Sequence, residues 1–334
     1  MRLSRYFNVK IFRRRAVALL FLAGAACGGK SGAGPTPAAD PPQIACPADV
    51  TRRDVTALTQ DVTYPAATAT GGVTPVSVTC TPPSGTTFGL GSTTVTCRAR
   101  DAQGREAACT FRVTVSGFPL GAKKFVAMGD SLTEGENGRT SLVDTPNSYP
   151  SRLQLLLQAS YPDQGITVVN RGVGRTTAEE MRDAVRGVVQ ADRPDGLLLM
   201  SGYNNLRDAC APGSATSAAC GRATEAVEFA VRDAIRRAKE ATPAVRFIFV
   251  STLVPPGPTG PRRIAAAAIV EVNQKIKRQI ALERGTLVDS YAAFIGHEAE
   301  YVSADGLHLN PAGYQAVAEA FFAAIRAAIP QTPG

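Results

Sequence analysis

The sequence predicts an α/β protein: a three-layer α/β/α sandwich around a five-stranded parallel sheet, preceded by a small β-sandwich. Three observations carry this expectation. Five short apolar runs after Lys123 alternate with long amphipathic segments, the pattern of a parallel sheet covered on both faces by helices. Residues 43–117 instead hold short β-branched runs separated by Gly, Pro and Asp-Ala-Gln-Gly turns, which is how a small β-sandwich reads. At 334 residues the chain also exceeds one ordinary domain, so two folded units with tails are expected.

Residues 1–27 read as an export signal. Arg2, Arg5, Lys10, Arg13, Arg14 and Arg15 precede the apolar run Ala16 to Ala26, which is too short to span a bilayer, a task needing about 20 residues. These six charges explain most of the net charge: +8 less six leaves +2 for the remainder. That balance gives no electrostatic case for a nucleic-acid partner. The run ends in "LAGAAC", which resembles a bacterial lipoprotein cleavage box, with Gly24 where leucine is usual. The resemblance implies that Cys27 is the lipid-attachment residue and that the protein sits on the cell envelope, facing periplasm or exterior. Seven cysteines less Cys27 leave six, an even number suited to pairing in an oxidising compartment.

Residues 28–42 are mostly Gly, Pro, Ala and Ser with too few apolar residues to fold, hence a tether. The β-rich segment that follows contains Cys46, Cys80, Cys97 and Cys109 without a C-x-x-C pair, which favours disulfides over zinc. Through "CPADV", "VTCTPPSGTTFGLGSTTVTC" and "CTFRVTV" it resembles the hyalin-repeat (HYR) module, an immunoglobulin-like extracellular domain. The resemblance implies a spacer or adhesion role. Spacing and resemblance together suggest Cys80–Cys97 and Cys46–Cys109, other connectivities remaining open.

After a short linker at 118–122, residues 123–330 form the α/β unit, with 331–334 as a tail. "KKFVAM", "ITVVN", "GLLLMS", "VRFIFVST" and "GTLVDS" are its strands. Tyr149, Leu153, Leu156 and Leu157 mark one helix face, with Pro150 in its first turn. Thr176 or Thr177 with Glu179 and Glu180 make a capping box before Met181, Val185 and Val188. Ile269, Val272, Ile276 and Ile280 line a helix that Gly285 stops. Asn310-Pro311 starts the last, whose Val317, Phe321 and Ile325 face inward. Cys210 and Cys220 enclose a flexible loop, "APGSATSAA", and are expected to close it as a disulfide.

Reactive groups in such sheets gather at the carboxyl ends of strands, and four of these ends carry chemistry. They are "GDS" at 129–131, "NRGVGRTT" with Gly172, "SGYNN" with Asn204, and "SADGLHLNPAG" with Asp305 and His308. A serine hydroxyl needs a neighbouring base to become a nucleophile. Of the two histidines, His308 lies beside an acid, Asp305, able to orient it, whereas His297 does not belong to the set. The backbone N–H groups of Ser131 and Gly172 with the Asn204 amide supply donors for an oxyanion. Each piece alone is a common loop, cap or metal contact. Their occurrence together at four strand ends of one unit is what points to a site.

"GDSLTEG", "NRGVG", "GYNN" and "DGLH" resemble the four blocks of the SGNH, or GDSL, hydrolase family over about 210 residues. The resemblance implies a flavodoxin-like sandwich with Ser131 as nucleophile, His308 as base, Asp305 as its orienter, and Ser131, Gly172 and Asn204 as the oxyanion hole. Two positions depart from the family pattern: Asn205 stands where aspartate is usual, and Arg175 where a later glycine is usual. The nucleophile also differs from the G-x-S-x-G elbow, because Thr133 occupies the second glycine position.

An exported serine esterase needing no metal or organic cofactor is therefore expected, acting on a small-molecule or glycan ester. The loops after the first and third strands are polar, which suits a short acyl group on a hydroxyl-rich alcohol. Two other classes remain open: a lysophospholipase- or thioesterase-like lipid hydrolase, and a surface-binding protein using a hydrolase fold as carrier. The "NRGVGR" stretch could also meet a phosphate at a helix start, but it lacks the spacing of a dinucleotide fold. Oligomeric state is not legible.

Overall fold

The computed structural model describes residues 40–55, 57–138, 145–162 and 164–331. Residues 1–39, on which the expected export signal, Cys27 and most of the expected tether fall, lie outside the described residues, as do the middle of the loop after the first α/β strand and the last three residues.

The N-terminal β-rich part contains β1 (Gln43–Ala45), β2 (Val50–Val55), β3 (Thr59–Val62), β4 (Thr68–Thr70), β5 (Ser77–Thr81), β6 (Thr86–Gly89), β7 (Gly91–Arg100) and β8 (Glu106–Gly117). A four-stranded sheet runs β2-β8-β7-β5, with two-stranded pairs β1-β4 and β3-β6. Alternation puts Val95, Phe111, Val113 and Val115 on its inner face, packed with Val62 and Phe88. Two disulfides cross this module, Cys46–Cys109 and Cys80–Cys97. The second joins residues directly opposite on β5 and β7.

The α/β part has strands β9 (Lys124–Gly129), β10 (Thr167–Gly172), β11 (Gly196–Met200), β12 (Phe247–Ser251) and β13 (Thr286–Val288). All pairings are parallel, in the order β10-β9-β11-β12-β13. That is the 2-1-3-4-5 arrangement of flavodoxin-like sheets, whose chain order reverses beside the first strand. Its helices are α1 (Ser131–Glu134), α2 (Tyr149–Ser160), α3 (Ala178–Asp192), α4 (Tyr203–Leu206), α5 (Ala218–Glu240), α6 (Ala266–Leu282), α7 (Ser290–Phe294), α8 (Glu298–Tyr301) and α9 (Pro311–Ala328). The five strands coincide with the five apolar runs, because strands buried on both faces carry nearly unbroken apolar sequence. Leu197, Leu198, Leu199 and Met200 of β11 are all buried.

The helix ends follow local chemistry. Thr177 and Glu180 form a reciprocal capping box at α3. The Asn310 side chain accepts the N–H groups of Ala312 and Gly313 ahead of Pro311. Past α6 the left-handed residue is Arg284, with φ +52°, and Gly285 follows it.

The longest helix among the described residues, α5, has no counterpart in the sequence expectations, which assign its first residues to a polar loop. Its buried stripe includes Val227, Ala230, Val231, Ala234, Ile235 and Ala238. Small side chains give a weak periodic signal, yet they let the helix lie close against its neighbours. Cys220 belongs to its first turn, so the Cys210–Cys220 disulfide fastens the loop after α4 to this helix. Among the described residues, no helix is long and apolar enough to cross a membrane.

Candidate active site

β9 ends at Gly129, and Asp130 turns the chain directly into α1. The Asp130 Oδ1 atom accepts the Leu132 N–H at 3.1 Å, so the acid of "GDS" is the helix cap. Ser131 is therefore the first helical residue, where a backbone N–H has no intrahelical acceptor. Gly129 has no alternative: a Cβ there would lie 2.1 Å from the Met200 carbonyl oxygen and 2.2 Å from Thr133 Oγ1.

Ser131 Oγ is 2.9 Å from His308 Nε2. On the other side of the ring, His308 Nδ1 is 2.6 Å from Asp305 Oδ2. An ionised carboxylate only accepts, so Nδ1 carries the proton and Nε2 presents its lone pair to the serine hydroxyl. Asp305 Oδ1 accepts the N–H groups of Leu307 and His308, each at 3.0 Å. Burial pushes the Asp305 pKa up, but the His308 hydrogen bond and these N–H groups outweigh it and hold the carboxyl below its ordinary range. The structure thus joins Ser131, His308 and Asp305, from opposite ends of the α/β part, in one buried hydrogen-bonded chain. His297 stands apart, with Nδ1 3.0 Å from Glu300 Oε2 at the surface.

The expectation for Gly172 is corrected. Its N–H donates to Asn170 Oδ1 at 2.9 Å, so it is not directed at a substrate. The glycine is needed because a Cβ would come within 2.3 Å of the Glu134 backbone nitrogen. Gly174, two residues on, lines the cleft in front of Ser131 instead. Asn170, which carried no role in the sequence, clamps this corner: its Nδ2 donates to the Thr133 carbonyl at 2.9 Å.

Asn204 lines the same cleft as Ser131 and His308. One N–H of its amide holds the Thr176 carbonyl at 3.0 Å, and the other is uncommitted by that contact. Asn205 caps α3, its Oδ1 accepting the Ala178 N–H at 2.9 Å while Nδ2 donates to Glu179 Oε2 at 2.6 Å. An aspartate there would set two carboxylates against each other, which explains the departure from the family pattern. Arg175 adopts φ +68°, the left-handed conformation that the usual glycine would take without steric cost.

The cleft has a volume of about 690 Å³. Its wall is polar, with Glu134, Glu136, Arg175, Arg207 and Arg262 beside the Ser131 hydroxyl, and Val173 and Leu307 are its apolar members. Glu136 and Arg262 were missed by sequence reasoning. Glu136 lies just past the first block, whereas Arg262 belongs to the Pro/Gly-rich stretch after β12, which shows no periodicity. Among the described residues, no group of three or more His, Cys, Asp or Glu side chains is placed to share a metal ion.

Two family models match the chain: the GDSL-like Lipase/Acylhydrolase family over residues 127–316 and the HYR domain over residues 38–115. A curated relative, an acetylxylan esterase of Geobacillus stearothermophilus, is 32% identical over 88 residues, or 25% of this chain. The match spans 40% of that relative's length. Among solved structures, an alpha/beta hydrolase enzyme from the metagenome of Lake Arreo, Spain, is similar at 24% identity and a TM-score of 0.49. That match covers 62% of this chain and 96% of the other. A variant of an acetyl xylan esterase from Geobacillus stearothermophilus gives the same identity, coverage and TM-score.

Asp130 provides a test of the local electrostatics. Burial pushes its pKa up to about 6, against the pull of the Leu132, Gly202 and Tyr203 N–H groups and of His308. A carboxyl whose folded pKa exceeds its unfolded one contributes stability below the unfolded pKa, and loses it as pH rises through the folded pKa. The stability of the parent relative to Asp130→Asn should fall between about pH 4 and pH 6.5, by on the order of 2–3 kcal/mol. Urea unfolding across that range checks it, and parallel stability–pH curves would exclude a buried, raised Asp130.

Proposed function

The chain belongs to the GDSL-like Lipase/Acylhydrolase family, and from that premise we propose that it is a carboxylic ester hydrolase with Ser131 as nucleophile. The observation that carries this reading is the hydrogen-bonded series Ser131 Oγ to His308 Nε2 and His308 Nδ1 to Asp305 Oδ2. As the Ser131 oxygen attacks the ester carbonyl carbon, its proton passes to Nε2 and Asp305 steadies the imidazolium. The carbonyl oxygen becomes an oxyanion, for which the Ser131 and Gly174 N–H groups and the free N–H of the Asn204 amide are the donors. Collapse breaks the bond to the alcohol, which leaves with the proton from Nε2, and the acyl group stays on Ser131. Water then repeats the sequence with His308 as base, releasing the acid and the serine.

A short acyl group on a carbohydrate is the proposed substrate. A long chain gains about 0.8 kcal/mol for each methylene buried, and a wall of arginine, glutamate and asparagine offers little for it to cover. Charged and amide groups instead suit hydroxyls. The acetylxylan esterase similarity over 88 residues supports the same class.

Export is supported by three disulfides and the HYR module, because such bridges persist in oxidising compartments. In this reading the HYR module is a spacer and Cys27 a lipid anchor.

Ser131→Ala and His308→Ala should each lower kcat/KM for 4-nitrophenyl acetate by about 10⁴-fold or more. Acetyl and butyryl esters should exceed the dodecanoyl ester. Full activity in Ser131→Ala would sink the assignment, and a kcat/KM that rises steadily past about eight carbons would favour a lipid hydrolase. For the anchor, Cys27→Ser should move the protein from the membrane to the soluble fraction, and unchanged fractionation would count against lipidation.

A further inference from the structure

The His308 ring meets a second carboxylate that the triad does not use. Glu136 Oε2 lies 3.3 Å from His308 Nε2, the nitrogen that also faces Ser131. Asp305 occupies the opposite nitrogen. Two carboxylates on the two nitrogens of one ring favour the imidazolium, which has no lone pair to take a serine proton. One cation bridges both acids. Arg262 Nη1 is 2.9 Å from Glu136 Oε1, 3.6 Å from Asp305 Oδ2 and 3.4 Å from His308 Nδ1.

The backbone builds this arrangement in. The Glu136 N–H donates to the Ser131 carbonyl at 3.0 Å, and the Arg262 N–H to the Asp305 carbonyl at 2.8 Å. Tyr314 Oη donates to the Glu136 carbonyl at 2.6 Å. Each member of the pair is thus anchored to a different triad residue. The Glu136 side chain is 15% exposed and that of Arg262 39%, so their charges act through only partly solvated surroundings.

We propose that Glu136 and Arg262 are a positioning pair that sets the protonation of His308. Glu136 favours the imidazolium that forms when the serine proton moves to Nε2. Arg262 offsets Glu136 and Asp305 together. The other charged groups near the ring are Asp130, capping the helix behind Ser131, and Glu134, Arg175 and Arg207 on the cleft wall. None of those four bridges the two acids. The proposal rests on His308 as the base of the preceding reading, but its readout does not require turnover.

His297 is the only other histidine in the chain, so His297→Gln leaves one imidazole whose titration NMR can follow. In that parent, Arg262→Met should raise the His308 midpoint by about one pH unit or more, since it leaves two acids uncompensated. Glu136→Gln should lower the midpoint, Arg262→Lys should stay near the parent, and the Glu136→Gln/Arg262→Met double variant should fall between the singles. The acid limb of kcat/KM for 4-nitrophenyl acetate should move in the same directions. If Arg262→Met does not fold, the Glu136→Gln midpoint decides alone. Midpoints of folded Arg262→Met and Glu136→Gln that stay with the parent would overturn the pair. The titration is decisive whether or not the parent hydrolyses the ester, so failure of the esterase reading and failure of the pair are seen separately.

Discussion

The structure around the site depends on the absence of side chains at two of three parallel strand ends that lie side by side. The register aligns Gly172, Gly129 and Met200 in one row across β10, β9 and β11. At Gly129 the Met200 carbonyl occupies the space of a Cβ, and at Gly172 the start of the Glu134 peptide does. Only glycine permits both approaches. Because of them, α1 is wedged against the row and Ser131 stands at the sheet's edge, where the loop carrying Asp305 and His308 meets it.

Electrostatics then govern what that placement can do. Asp130 is buried as a cap, with burial pushing its pKa up to about 6, whereas Asp305 is held low by hydrogen bonds that outweigh its burial. Two aspartates near one histidine thus differ because burial prevails at Asp130, whereas the imidazole hydrogen bond and N–H groups prevail at the less buried Asp305. Glu136 adds a third acid, and Arg262 is the cation that ties it to Asp305. The strand ends supply geometry, and these charges supply the proton balance on which the proposed chemistry turns.

The strands were readable because burial on both faces leaves runs such as Leu197 to Met200 with hardly a polar residue. The four chemical segments were readable because each follows such a run and carries a residue that ordinary packing does not require. Gly172 shows where this stops. Two glycines in "NRGVG" look equivalent in sequence, and only the Asn170 hydrogen bond and the cleft lining separate their roles. Helix α5 was obscured by alanines whose small size aids packing while flattening the periodic signal. Arg262 was invisible for a different reason: it is 126 positions from Glu136, in a segment whose Pro and Gly residues suggest only a connection. Long-range ion pairs leave no local pattern.

The central claim is that the Ser131 oxygen itself takes the acyl group. Rapid acid quenching of the protein mixed with 4-nitrophenyl acetate, followed by peptide mass spectrometry, tests it most directly. An acetyl adduct on the peptide containing Ser131, absent in Ser131→Ala and accumulating when His308 is replaced only as slowly as that variant turns over, is the predicted result. Ester hydrolysis at the parent's rate with the acetyl group on another residue, or an undiminished adduct in Ser131→Ala, would contradict it.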